Sequence, residues 1–218
     1  IKTIPITIDL TRAVEKYDDF DAASLGMCLD DYLEEIAVAV KEHAAWRRTV
    51  VFLPLIDTSQ KFTAMLKRIG VKAEHKSGES KARKGILARY AARKIDVNSN
   101  AMLLTEGWDD PQTDCVVVLR PTKVRSLYAQ MIGRGTRIHN EKQDLMILDF
   151  LWMHEKHNLI RPAHLVAKTE TVAKEMTAKA EAADGQLDLF ELEEEAGLAI
   201  REREEALRQA IRENRLKQ

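Results

Sequence analysis

The sequence predicts an α/β protein: a parallel sheet flanked by helices, followed by an α-helical C-terminal extension. Three observations carry this prediction. The unbroken apolar run at 115–119 and the buried-strand patterns at 49–53 and 145–148 have the length of strands covered on both faces. Between them lie stretches whose apolar residues recur at three- and four-residue spacing, so strand and helix alternate at the rhythm of parallel crossover units. From about residue 165 the strand pattern stops, and two amphipathic helical patterns take over, the second studded with Glu and Arg.

Taken in order, residues 1–10 alternate apolar and polar with Pro5 inside, which reads as an edge strand or an extended linker. Residues 18–26 are turn-rich, after which Asp30 or Asp31 caps a helix with Leu33, Ile36, Ala37 and Val40 on one face. The strand at 49–53 ends at Pro54. Asp57, Thr58 or Ser59 then caps a helix with the stripe Phe62, Met65, Leu66 and Ile69, closed by Gly70. A short strand at 71–75 leads through Lys76, Ser77 and Gly78 into a helix carrying Ile86, Leu87, Tyr90 and Ala91. A strand at 96–101 follows, then the strand 115–119, a helix over 126–132 and a last strand at 145–148. In the tail, Val166, Thr169, Val172, Ala173, Met176 and Ala180 share one helical face, and Gly185 ends that helix. Ala196, Ile200, Leu207 and Ile211 share the face of a second helix, from about 191 to 216. The chain thus divides into a linker with an N-terminal helix (1–47), the α/β lobe (48–164) and the helical extension (165–218).

Charge says little about partners. The 218 residues carry a net charge of −1, the first part being mildly positive and the tail mildly negative, so nucleic-acid binding cannot be argued from the total. The two cysteines, Cys28 and Cys115, are far apart and lack metal-ligand spacing; Cys115 reads as a small buried hydrophobe. This fits a reducing compartment, and a cytoplasmic location is expected. No apolar run approaches membrane-spanning length, so a membrane partner is not expected. The chain opens on Ile1, not Met, and is expected to be a piece of a longer protein.

The chemistry concentrates in two loops around the strand 115–119. The first is Thr105-Glu106-Gly107-Trp108-Asp109-Asp110-Pro111; the second is Gly133-Arg134-Gly135-Thr136-Arg137, at the end of the helix that begins near Ser126. A strand delivering an acid-bearing loop, followed by an element delivering two arginines, suits a polyphosphate. Arginine fits phosphate oxygens because its planar fork donates two parallel charge-assisted hydrogen bonds and keeps its proton. The simpler alternative is a helix end whose arginines cap carbonyls and whose glycines stop the helix.

TEGWDDP followed by QMIGRGTR resembles motifs V and VI of superfamily 2 helicases and translocases, in the flavour of type I restriction motors and DEAD/DEAH-like proteins. Residues 49–150 share the resemblance more weakly, which implies the second, C-terminal RecA-like lobe of such a motor. The stretch 96–101, DVNSNA, departs from the apolar run usual there. By resemblance, Arg137 is an arginine finger on the γ-phosphate of ATP, an effect worth about 10³-fold or more in rate. Arg134 supports the same phosphates or couples them to nucleic acid, and Gln130 and Gly133 complete the motif. Gly107 allows close backbone approach, Asp109 lies near the ribose or the nucleotide-sensing network, and Thr105 and Glu106 face nucleic acid. Residues 52–55 match motif IV. Lys76, Ser77, the Gly78 backbone and Lys123 are candidates for sequence-independent strand-phosphate contacts, with a solvated turn as the alternative for 76–78.

The sequence holds no GxxxxGK[ST] loop and no DExH-type acidic pair. ATP with Mg2+ is therefore expected to be held mainly by an N-terminal lobe in the same native chain, and the chain as given is expected to be inactive alone. DNA is favoured over RNA by analogy with restriction and repair motors. Gln186-Leu187-Asp188-Leu189-Phe190 is similar to the pentapeptide that docks bacterial proteins on the replication sliding clamp; alternatively Leu187, Leu189 and Phe190 staple the second tail helix in place. The rival to the motor reading is a non-catalytic nucleic-acid or protein interaction module.

Overall fold

The structure, a computed structural model, describes residues 1–76, 80–101, 110–153 and 159–216, with backbone only for residues 76, 80–84, 87 and 214–216. The chain forms two compact units: Ile4–Ile160, and Arg161–Gln218 together with Ile1–Thr3.

The strands and helices of the larger unit follow in order. They are β1 (Lys2–Asp9), a small hairpin of β2 (Glu15–Lys16) and β3 (Asp19–Phe20), α1 (Ala22–Asp30), α2 (Leu33–Ala44), β4 (Thr49–Phe52) and α3 (Ile56–Arg68). Next come β5 (Ala73–Lys76), α4 (Ser80–Ala91), β6 (Val97–Asn100), β7 (Cys115–Val118), α5 (Arg125–Gly133) and β8 (Met146–Met153). Six strands make one sheet in the order β1-β8-β7-β4-β6-β5. The pairs β4–β6, β4–β7, β5–β6 and β7–β8 are all parallel. The parallel sheet predicted from the alternating pattern is the one found, and β1, with exposed Pro5, takes the edge position.

Buried apolar residues from β1, α1, α2, β4, α3, β7 and β8 form one continuous core. All four residues of β4 and of β7 are buried, which explains the apolar runs at 50–53 and 115–119. Cys115 is fully buried, and desolvation pushes its thiol up to about 12, so it stays a neutral packing group.

Three local expectations fail. Helix α3 starts at Ile56 with Leu55 as its N-cap and no side-chain bond, so Asp57, Thr58 and Ser59 lie inside the helix and do not cap it. Residues 22–30 are helical, because the Asp21 carboxylate accepts the Ser24 N–H at 3.0 Å and caps α1. Neither Asp30 nor Asp31 caps α2, whose N-cap is Tyr32, without a side-chain bond. Gly26 lies inside α1 because a Cβ there would stand 2.7 Å from Leu55 Cδ1 and 3.0 Å from Thr58 Oγ1. Its absence lets α1 approach the start of α3.

The polar strand β6 is also buried at every position. Its register is Val97 to Thr49 and Ala73, through to Asn100 with Phe52 and Lys76. Ser99 is accommodated by α3: Ser59 Oγ donates to Ser99 Oγ at 2.9 Å, and Thr63 Oγ1 lies within bonding distance of the same atom. Ser59 Oγ also meets His75 Nδ1 at 2.7 Å, and burial pulls the pKa of that imidazole down. A polar layer between α3 and the outer strands thus replaces apolar packing. Nothing in the structure explains Asn98, which is buried beside it.

The smaller unit has a 3-10 turn at Pro162–Leu165 and two helices, α6 (Glu170–Ala182) and α7 (Leu189–Leu216). Thr169 caps α6 through the Val172 N–H. Ala173, Met176 and Ala180 are buried on α6, and Leu192 and Ala196 on α7. Residues 201–213 of α7 are exposed, and Arg203 reaches Glu175 with both terminal nitrogens at 2.8 and 2.9 Å. Among the described residues no helix is long and apolar enough to cross a membrane.

Candidate functional site

The motif-bearing helix α5 starts at the carboxyl end of β7 and is set in place by the small hairpin. The Thr122 hydroxyl donates to Asp19 Oδ2 at 2.7 Å, the Lys123 N–H donates to Asp19 Oδ1 at 3.1 Å, and the Val124 N–H donates to Thr122 Oγ1 at 3.0 Å. Tyr128, Met131 and Ile132 form the buried stripe at three- and four-residue spacing, which leaves Gln130 exposed. The helix ends with the Gly135 N–H donating to the Ile132 carbonyl at 2.8 Å. Arg134 is half-buried and Arg137 exposed on the turn that follows.

The two glycines of this turn do different jobs, and neither has the left-handed backbone of a helix-stopping glycine. A Cβ at Gly135 would lie 2.4 Å from Leu145 Cδ1 and 2.8 Å from Val116 Cγ2. Gly135 therefore seats the loop directly on β7. Among the described residues, a Cβ at Gly133, the last residue of α5, would meet nothing within 4 Å. None of the described residues uses that open side, which fits close approach by a ligand. Gly135→Ala is expected to cost about 1–3 kcal/mol, since Val116 is stiff and cannot yield. Gly133→Ala is expected to leave the melting temperature unchanged or raise it, by about 0.5–1 kcal/mol of helix preference. Thermal melts of the two variants check this; equal losses at both positions would contradict the division of roles.

The described end of the first loop is anchored by a buried ion pair. Arg48 Nη2 meets Asp110 Oδ2 at 3.0 Å, with side-chain exposures of 6% and 10%. The same guanidinium bonds the Tyr90 carbonyl and lies 4.9 Å over the Tyr90 ring. Asp110 Oδ1 accepts the Gln112 N–H at 3.0 Å, which shapes the turn into β7. Asp114 accepts the Arg48 N–H at 2.6 Å; burial still pushes its carboxyl pKa up. Next to it, Arg47 holds both oxygens of Asp144 at 2.5 and 3.3 Å. Arg47 and Arg48 lie just before β4, Asp110 and Asp114 before β7 and Asp144 before β8, so these five line the amino-terminal edge of the sheet. Gln112 Nε2 and His139 Nε2, 3.4 Å apart, join the turn after the first loop to the segment after the second.

The structure therefore brings Gln130, Gly133, Arg134 and Arg137 onto one helix end, beside the anchored end of the first loop. Thr105, Glu106, Gly107, Asp109, Ser77 and Gly78 lie outside the described residues, as do Trp108 and the Lys76 side chain. Lys123 is held by Glu15, at 2.5 Å, and lies 5.5 Å over the Phe20 ring, so a strand phosphate would compete with that carboxylate. Gln186, Leu187, Leu189 and Phe190 belong to the smaller unit. There Asp188 Oδ1 accepts the N–H groups of Phe190 and Glu191 at 2.8 and 3.1 Å and starts α7, while the Leu187 N–H bonds the Ile1 carbonyl. Phe190 is 70% exposed, so it staples nothing. Sequence reasoning did not single out Arg48, Gly135 or Lys142. For Arg48 the available signal was a cation immediately ahead of a fully apolar strand.

A parallel α/β lobe with an arginine-bearing helix end is the class this geometry defines. Residues 28–139 match the family model of the helicase conserved C-terminal domain, and the chain belongs to that family. It is 30% identical over 156 residues to IRC3 of Saccharomyces cerevisiae, covering 68% of this chain and 23% of that protein. It is 40% identical over 119 residues to mitochondrial irc3 of Schizosaccharomyces pombe, covering 53% of this chain and 20% of that one. Both carry the name of ATP-dependent helicases, and the chain spans about a fifth of their length. In fold it resembles a fragment of an HsdR subunit of a type I restriction enzyme from Vibrio vulnificus, with a TM-score of 0.52 at 22% identity, over 68% of this chain and 31% of that one.

Proposed function

We propose that this chain is the second motor lobe of an ATP-dependent helicase or translocase, completing an ATPase site whose other half lies on an N-terminal lobe of the same native protein. The observation that carries this reading is the helix end at 133–137. One of its glycines is demanded by packing, the other by none of the described residues, and Gln130 and Arg137 are exposed beside them. A scaffold has no use for that arrangement, whereas a phosphate clamp does. The matched relatives, named as ATP-dependent helicases, support the same reading.

ATP, when bound with Mg2+, supplies the phosphoryl group that is transferred to water. Arg137 would place its guanidinium against the γ-phosphate oxygens and stabilise the charge that spreads over them in the transition state. Arg134 would hold the same phosphates from the half-buried side, and Gln130 would orient polar groups at the rim. Gly133 would leave room for them. Closing the two lobes forms these contacts and hydrolysis releases them, which shifts the lobes' grip along one strand. The track is nucleic acid, and DNA is assigned to it from the motif resemblance to restriction motors alone. Docking on a sliding clamp through Gln186, Leu187, Leu189 and Phe190 is a separate proposal, favoured only by the exposure of Phe190; a peptide of residues 183–194 that fails to bind the clamp would end it.

ATP hydrolysis by this chain alone and by the longer native protein tests the main reading. We expect no turnover above background from the chain alone, and nucleic-acid-stimulated turnover from the longer protein. Hydrolysis by the isolated chain, or a native protein with the mass of this chain only, would overturn it.

A further inference from the structure

We propose that Lys142 is a positioning residue for Arg137, holding the backbone of the 135–137 turn from outside the motif. The inference rests on the phosphate-clamp reading above, and its first support is geometric. The Lys142 ammonium donates to the Gly135 carbonyl and, at 3.1 Å, to the Arg137 carbonyl. Its own N–H donates to the His139 carbonyl at 3.0 Å, so the segment from 135 to 142 folds back on itself. One cation thus ties together two carbonyls, two residues apart, that flank Thr136.

The rest of the turn is held from other directions. Gly135 sits against Val116 and Leu145, and the Thr136 hydroxyl donates to the Gly133 carbonyl at 3.2 Å. Packing fixes Gly135, and the Lys142 bond adds a hold on the Arg137 backbone two residues further on. Arginine has a long side chain, and a finger on a swinging backbone would spend its reach. A misplacement of 1 Å at a reacting group costs on the order of 10²-fold in rate. Lys142 is itself half-buried. Burial lowers its pKa, while Asp114 and Asp144 favour its charged form. Those carboxylates are in turn held at the sheet edge by the Arg48 N–H and the Arg47 side chain.

The test is a mutant cycle in the longer protein that carries the N-terminal lobe, using Lys142→Met, Lys142→Arg, Arg137→Ala and the Lys142→Met/Arg137→Ala double variant. Lys142→Met keeps the aliphatic stem and removes the ammonium. We expect a fall in kcat on the order of 10²-fold with KM for ATP unchanged, partial recovery in Lys142→Arg, and a double variant no slower than Arg137→Ala. Losses that multiply in the double variant, or a change confined to KM, would overturn the positioning role. Hydrogen exchange at the amides of 135–138 in Lys142→Met is the second readout, and it should quicken; unchanged exchange would also overturn the proposal. If Arg137→Ala alone leaves turnover intact, the clamp reading fails, and the exchange result still decides whether Lys142 holds the turn.

Discussion

Arg137→Ala, made in the longer two-lobe protein, is expected to lower ATP turnover by about 10³-fold or more while ATP binding persists. The proposed reading divides the labour: nucleotide affinity would come mainly from the N-terminal lobe, and the exposed Arg137 guanidinium, on the turn after α5, would act where charge develops on the transferring phosphoryl group. Arg137→Lys keeps the charge but loses the planar fork, so it should recover only a small part of the rate. Folding should be unaffected, since Arg137 is exposed and packing holds the turn at Gly135. Steady-state turnover, nucleotide binding and a thermal melt on the same variant check the three statements separately. Turnover within a few-fold of the unsubstituted protein would rule out the finger.

The largest stability effect is expected from Arg48→Met. Its guanidinium and the Asp110 carboxylate are 6% and 10% exposed, so removing the cation strands a carboxylate in a nearly dry site. Breaking one side of such a pair costs about 3–5 kcal/mol, mostly for the unpaired partner. The Tyr90 and Ala91 carbonyls that Arg48 bonds would lose their donor as well. For a chain of this size the loss corresponds to a fall in melting temperature on the order of 10 °C. Adding Asp110→Asn should return part of it, because a neutral amide tolerates the site better than a lone charge. A melt within a degree or two of the unsubstituted chain would show that the pair does not anchor the end of the first loop.

These two residues also show what a sequence can and cannot disclose. The grouping of Gln130, Gly133, Arg134 and Arg137 was legible because the four lie within eight consecutive positions, on one helix end and the turn after it. Arg48 was not, because Asp110 is 62 residues away and the pair forms only once β4 and β7 are neighbours. The strands β4 and β7 declared themselves, since burial on both faces favours the apolar runs that residues 50–53 and 115–119 carry. The strand β6, with VNSN, depends on hydroxyls of Ser59 and Thr63 from a helix 36 to 40 residues earlier, a compensation that periodicity cannot register. The α1 helix was obscured by its aspartates: one caps it, and the others resemble turn residues. Gly133 and Gly135 look equivalent in the chain, and only the surroundings of a would-be Cβ separate them.

The central claim is that residues 133–137 face the γ-phosphate, and labelling with an ATP analogue that carries a photoreactive group at its γ-phosphate tests it most directly. In the longer protein with Mg2+, adducts are predicted within the peptide spanning Gln130 to Arg137, displaced by excess ATP and weakened in Arg137→Ala. Adducts confined to the N-terminal lobe, with that peptide unlabelled, would contradict the account.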